Sequence, residues 1–383
     1  MKDVSFACRS IVEVDLQKLR LNLVHVRSLL SSSCKLMFVV KGNAYGHGAV
    51  PCALACDDCV DWFAVATADE ALELRDAGVC SPILLFGFAD KQVLPDLLKK
   101  QVTLSVFSLE YAEYLKRSAM TWNQKIPVHL KIDTGFNRLG FSFRNERWNE
   151  DIQYIRNILD DPIFDITGIY THFSSSKTAA GNAATYTEMQ FRLFKRLCDQ
   201  LDREGYSIGL RHCCASGGIL FHPDKQMDMV RAGVVAYGSL PSSFPHWDLF
   251  QPIHRWLSKV INVKEVESGE SVSYDRTYQV TKTSKIAVVS VGYGDGYFQG
   301  YQNKVHGYIH GIPVPQIGVI CMDLCMFDVT ELPQVDIGDE VLLLGNPAAG
   351  EIGACDLGNI RNCVIGEVTT SISSRVARLY VNA

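Results

Sequence analysis

Long apolar runs are missing from this sequence. The candidates, such as ILLFGF (83–88), stop well short of the ~18 residues a membrane-spanning helix needs, so no membrane segment is expected. Charge of one sign is also scarce. Lys and Arg number 37 against 42 Asp and Glu, a formal net charge of −5. The two signs alternate without a long block, which argues against a nucleic-acid partner and against a charged interaction tail. The N-terminus, MKDVSFACRSIVEVD, meets acid too early for a signal peptide, and a cytoplasmic protein is expected.

Cysteine is not scarce, but a metal-site spacing is. Thirteen cysteines occur, and only Cys52, Cys56 and Cys59 cluster, spaced to share one face of a helix in PCALACDDCVDW. Zinc wants a fourth ligand. The only near candidate, His47, belongs to another motif, so no metal is expected. In a chain this long without a signal peptide a disulfide framework is not expected, and the cysteines read as small core residues.

What is present is rhythm. Between residue 35 and about 240, short β-rich runs alternate with helical patterns: KLMFVVK (35–41), WFAVAT (62–67), PILLFGF (82–88), VTLSVFS (102–108), IPVHLKIDT (126–134), DITGIYTHF (165–173), LRHCCAS (210–216) and VRAGVVAYG (230–238). Helices are predicted over 68–78 and 186–205, each stopped by Gly. Eight strands with helices between them predict an α/β fold, an N-terminal (β/α)8 TIM-type barrel over 10–245. From about 255 the pattern changes to strands broken by Gly and Pro turns, so a C-terminal mainly-β domain is expected over 246–383, joined by residues 1–9. GEVTTSISSRVARL (366–379) reads as a late helix. PSSFPHWDLFQP (241–252) marks the boundary.

One stretch asks for chemistry. In FVVKGNAYGHG (38–48) an apolar strand runs straight into Lys41, with three glycines close behind. Barrel strands end at the active-site mouth. A half-buried lysine loses its charge more readily than an exposed one, and its amine can then join a carbonyl.

VVKGNAYGHG resembles the cofactor-lysine motif of alanine racemases, where VVKANAYGHG is usual. IVEVDLQKLRLNL (11–23), HLKIDTGFNRLGF (129–141), THF (171–173), CCASGG (213–218), MVRAGVVAYG (229–238), SVSYDRTY (271–278), VGYGDGY (291–297) and ICMD (320–323) are similar to further blocks of that family, in order along nearly the whole chain. The resemblance implies an isomerase that uses pyridoxal 5'-phosphate to interconvert L- and D-alanine, a homodimer with shared active sites, and D-alanine made for peptidoglycan. It implies Lys41 as the cofactor lysine and one base, and Tyr274 of the other subunit as the second base, supported by His172 and Arg231. Tyr45, Ser216 and the N–H groups of Gly233 and Val234 would hold the phosphate, and Arg231 the ring nitrogen. Arg138 would bind the substrate carboxylate. Lys131 maps to a lysine that is carbamylated in many members. Tyr293 and Met322, again from the partner, would line the entrance.

Some residues depart from the pattern. Gly42 replaces alanine, Asp275 replaces a common glycine, Ser374 stands where some members have tyrosine, and QPIHRWLSKV (251–260) is unlike the usual joining segment. Serine therefore stays open as a second substrate. A pyridoxal-phosphate decarboxylase of the barrel-plus-β type, with Cys321 or Cys325 near the right region, and a non-catalytic pyridoxal-phosphate-binding protein stay open as competing functions.

Overall fold

All eight apolar runs become parallel strands in the computed structural model, which describes residues 9–119, 122–143 and 147–382. In chain order they follow β1 (Ser10–Asp15): β2 (Lys35–Val39), β3 (Trp62–Val65), β4 (Ile83–Leu85), β5 (Val102–Val106), β6 (Ile126–Asp133) with the short β7 (Phe141–Ser142) at its end, β8 (Phe164–Tyr170), β9 (Leu210–His212) and β10 (Met229–Ala232). The sheet order is β10-β2-β3-β4-β5-β6-β8-β9. A single parallel bridge, Ala215 to Arg231, closes the seam, with Arg231 N–H donating to Cys214 O at 3.0 Å. The strands are buried on both faces, which is why they read as unbroken apolar runs. Met37, Trp62, Leu84, Tyr170 and Met229 form one cluster. Leu36, Phe38, Phe63 and Ile83, on the alternate positions, belong to the larger core with the helices.

The C-terminal part contains β11 (His254–Val266), β12 (Ser271–Val272), β13 (Tyr278–Gln279), β14 (Ser284–Val289), β15 (His306–Ile309), β16 (Ile312–Ile317), β17 (Cys325–Asp328), β18 (Glu340–Leu344) and β19 (Ala377–Val381). The long β11 pairs with both β14 and β18, so the ring β11-β14-β17-β16-β15-β18 closes on itself, and β1 and β19 extend from it. Closure removes the exposed edges that such a sheet would otherwise present.

Three local expectations are corrected. Ser10–Asp15 pairs with β11 and β19, so this strand of the expected barrel span lies in the C-terminal sheet; residues 1–8 lie outside the described residues. GEVTTSISSRVARL is not one helix. Helix Ile365–Thr370 stops, and β19 follows. The Arg378 guanidinium takes the carbonyls of Ile372, Ser373 and Val376, which a continuing helix would need for itself. Finally, the cysteine helix ends at Cys56, leaving Cys59 beyond it. A helix over Ala354–Arg361 was not anticipated.

Candidate active site

Lys41 follows β2 and opens a turn of unusual hand. Gly42, Asn43, Ala44 and Tyr45 all have positive φ, from 51° to 64°. A left-handed L-residue costs about 1–2 kcal/mol, and glycine escapes that cost, so Gly42 relieves part of the strain. Side chains hold the rest in place. Asn43 Oδ1 accepts the Ala49 N–H at 2.7 Å, and Glu70 Oε1 accepts the Gly42 N–H at 2.6 Å. Glu70 also accepts the N–H groups of Ala66 and Thr67. It is the acid of a capping box with Thr67 at the start of helix Ala68–Asp76. Arg378 Nε reaches Gly46 O at 3.0 Å, tying the turn to β19.

A cavity of about 740 Å³ opens at the C-terminal ends of the barrel strands. Lys41, Tyr45, Lys131, Arg138, His172, Ser216, Arg231, Gly233 and Val234 all line it, so the structure brings together every barrel residue singled out in the sequence. Lys177 adds a fifth cation, and among the described residues no Asp or Glu lines the cavity.

That charge imbalance shapes the chemistry. Burial, with Arg138 and Arg231 nearby, lowers the Lys41 pKa. Burial and Arg231 bring Lys131 down to about 7, so its amine gives up its proton far more readily than that of an exposed lysine. Lys131 Nζ donates to Ile132 O at 2.8 Å. Arg138 belongs to a loop built around Asp133, whose carboxylate accepts the N–H groups of Gly135, Phe136, Asn137 and Arg138. Burial opposes ionisation of Asp133, but these donors and Lys131 hold its pKa below the usual carboxylate value. The Arg138 guanidinium lies 4.2 Å from the Phe136 ring centre.

Arg231 is 3% exposed and makes no ion pair among the described residues. Its two terminal nitrogens donate instead to the carbonyls of Thr171, His212 and Cys213 and to the Nδ1 atoms of His172 (3.2 Å) and His212 (2.9 Å). Burial and the Arg231 charge push both histidines well below their ordinary pKa.

A cradle for an anion lies opposite. Ser216 Oγ accepts from the N–H groups of Gly233 and Val235 at 3.2 and 3.3 Å. A Cβ on Gly233 would stand 3.0 Å from Tyr45 Oη and 3.7 Å from Ser216 Oγ. The space between two hydroxyls exists because residue 233 has no side chain. Hydroxyl and N–H donors in a cavity rich in cations fit a phosphate group.

Tyr274, Tyr293 and Met322 do not line this cavity. They are 65, 38 and 52% exposed on the C-terminal part. Tyr274 sits at the tip of the β12–β13 hairpin. Ser273 beside it bonds to Val319 O, and Tyr293 and Gly294 N–H bond to Cys321 O and Met322 O. These bonds tie the segments around residues 274, 293 and 322 to one another. Ser374 lines a separate groove with Gly42, Asn43 and Gly46, so two of the departures meet behind the lysine turn. Sequence reasoning missed Glu70, His129 and His212. Glu70 had a signal, the T-x-x-E capping pattern at 67–70, whereas the two histidines were hidden inside strand runs.

The fold and its site define a class: a parallel barrel with a cation-lined cavity at its mouth, coupled to a closed β domain. Residues 14–241 match the family described as alanine racemase, N-terminal domain, and residues 253–380 match alanine racemase, C-terminal domain. The alanine racemase of Methanococcus maripaludis is 36% identical over 97% of this chain and 98% of its own. Alanine racemase 1 of Oceanobacillus iheyensis is 35% identical over 97% of each. The solved alanine racemase of Clostridium difficile 630 superimposes with a TM-score of 0.90 at 34% identity, covering 98% of this chain and 97% of that one. The Bacillus anthracis enzyme, solved with bound L-Ala-P, gives 0.86 at 28% identity, covering 99% and 96%. The chain belongs to the alanine racemase family. Both of its units match, which favours the racemase over the decarboxylase and the non-catalytic binding protein. Among the described residues no helix is long and apolar enough to cross a membrane, and no group of three or more His, Cys, Asp or Glu is placed to hold a metal ion.

Proposed function

We propose that this protein interconverts L- and D-alanine with pyridoxal 5'-phosphate, in a homodimer whose two sites each draw on both copies, and supplies D-alanine for peptidoglycan in the cytoplasm. The observation that carries the proposal is the cavity itself. It sets an amine of lowered pKa, the Arg138 guanidinium and a cradle of hydroxyl and N–H groups around one space, while Tyr274 stands exposed on the other domain.

Pyridoxal phosphate, when bound, draws into its ring the electron pair left on Cα by proton removal. Lys41 would hold it and move the Cα proton on one face. Tyr45, Ser216 and the N–H groups of Gly233 and Val234 would hold the phosphate. Arg231 would meet the ring nitrogen, and because a guanidinium only donates, the nitrogen would receive a hydrogen bond and keep no proton. Arg138 suits the substrate carboxylate through its paired donors. Lys131, whose pKa burial lowers, is disposed to carbamylation, and the resulting anion would orient Arg138.

Tyr274 of the second copy would serve the other face, with Tyr293 and Met322 beside it. A phenol has a reference pKa near 10, and each unit it is lowered takes about 1.4 kcal/mol of preference for the phenolate. His172 is suited to supply part of this. Arg231 donates to its Nδ1, so its proton sits on Nε2, and an N–H there stabilises an oxyanion.

Solvent-deuterium exchange at Cα of each alanine enantiomer tests the proposal. Wild type should exchange both. Tyr274→Phe should exchange mainly one, because one face has lost its base. Equal exchange from both enantiomers in the variant would refute the two-base assignment. A circular-dichroism assay with D- and L-serine in parallel decides whether the small residues Gly42 and Ser374 accompany a wider substrate range.

A further inference from the structure

Arg231 directs its hydrogen bonds at imidazoles, and that choice fixes where their protons sit. A guanidinium has donors and no acceptor. His212 Nδ1, 2.9 Å from Arg231 Nη1, must therefore be a lone pair, and neutral His212 carries its proton on Nε2. Nε2 lies 2.9 Å from His129 Nδ1. His129 must accept there and carry its own proton on Nε2. That last N–H is buried without a partner. It lies against Gly168, the register partner of His129 on β8, where a Cβ would come within 2.6 Å of the Nε2 atom. The Trp62 ring covers another side at 5.1 Å between centres, and Tyr170 stacks on His212 at 4.8 Å. Both histidines are completely buried.

We propose that His129 is a positioning residue for Arg231. By accepting a hydrogen bond from His212 Nε2–H it holds His212 in the tautomer whose Nδ1 lone pair receives Arg231, and so holds the guanidinium in place at the floor of the site. By ending in an N–H with no acceptor, it leaves a proton relayed from Arg231 nowhere to go beyond a buried, unpartnered imidazolium. Burial agrees, since it pushes His129 down to about 3. Gly168 belongs to the device, because any side chain there would displace the His129 ring. The catalytic consequence rests on the function proposed above. The tautomers do not.

The test uses cofactor-free protein carrying 15N in its histidine rings. In wild type, His212 and His129 should both show protonated Nε2 and unprotonated Nδ1. His129→Leu removes the acceptor and should shift the His212 ring signals. His129→Asn, whose side-chain oxygen can accept in place of Nδ1, should return them toward wild type. With cofactor and alanine, kcat of His129→Leu should fall on the order of tenfold, the loss of about one neutral hydrogen bond. KM should change less than about twofold, and His129→Asn should recover most of kcat. A His212 proton found on Nδ1 in wild type would overturn the proposal, and that spectrum needs no variant to fold. So would unchanged His212 signals in His129→Leu, or shifted signals with unchanged kcat. Absence of racemization in wild type would instead overturn the proposed function and leave the tautomers standing.

Discussion

Lys131 illustrates what a single residue pays to stand among cations. It is buried at 6% exposure, near Arg231 and Arg138, and its pKa falls to about 7 from 10.5. The folded state resists a proton that the unfolded chain accepts. The penalty is therefore full below pH 7, shrinks as pH rises, and is gone above 10.5. Lys131→Met should raise the urea midpoint of the cofactor-free protein most at pH 6.5, with the difference fading by pH 10. An equal gain at both pH values would show that packing, not charge, is responsible. The same scale explains what sequence could and could not say. Lys41 and Arg231 were legible because each puts a cation into an apolar run, whereas Arg138 was legible only through the family resemblance. His129 and His212 look like ordinary members of strands. Only barrel closure turns both toward one interior and reveals them as partners.

Among elements, the lysine turn depends on its neighbour. Glu70 completes the cap of helix Ala68–Asp76 and, with its other oxygen, takes the Gly42 N–H of the left-handed turn. One side chain thus links two successive βα connections. Glu70→Ala should cost about 1–3 kcal/mol, the range for losing a cap and a charge-assisted bond, measured by urea unfolding. It should also weaken pyridoxal-phosphate binding in a fluorescence titration, whereas Glu70→Gln, which keeps one acceptor, should do less of both. Lost stability with unaltered cofactor affinity would separate the cap from the turn. The barrel strands were readable because parallel strands buried on both faces leave unbroken apolar runs. The break between Thr370 and Ala377 was not, because it is imposed by Arg378 and by the backbone of Asp295, distant groups that no local pattern announces.

At the scale of the whole molecule, a set of interior histidines is kept neutral. Burial takes His47 down to about 4 and His129 to about 3, and His172, His212 and His254 lie well below 6.5. His47 and His254 bond to each other at 2.9 Å, joining the lysine turn to the first strand of the β domain. Each such group contributes stability above pH 6.5 that is lost as pH falls toward its folded value, about 1.4 kcal/mol per pH unit. The urea midpoint should therefore drop steeply between pH 6.5 and 5, before most carboxylates titrate. A flat midpoint across that interval would contradict the neutral assignments.

The architecture also separates the two proposed bases, with Lys41 at the barrel mouth and Tyr274 at an exposed hairpin tip of the other domain. The most direct test mixes two variants, Lys41→Met and Tyr274→Phe, each inactive alone, after unfolding and refolding together. With closed two-fold symmetry, half of random dimers are mixed, and each mixed dimer holds one site with both native groups. Racemization at about a quarter of the wild-type level is predicted. A mixture as inactive as its components, with mixed dimers demonstrably formed, would contradict a site shared between two copies.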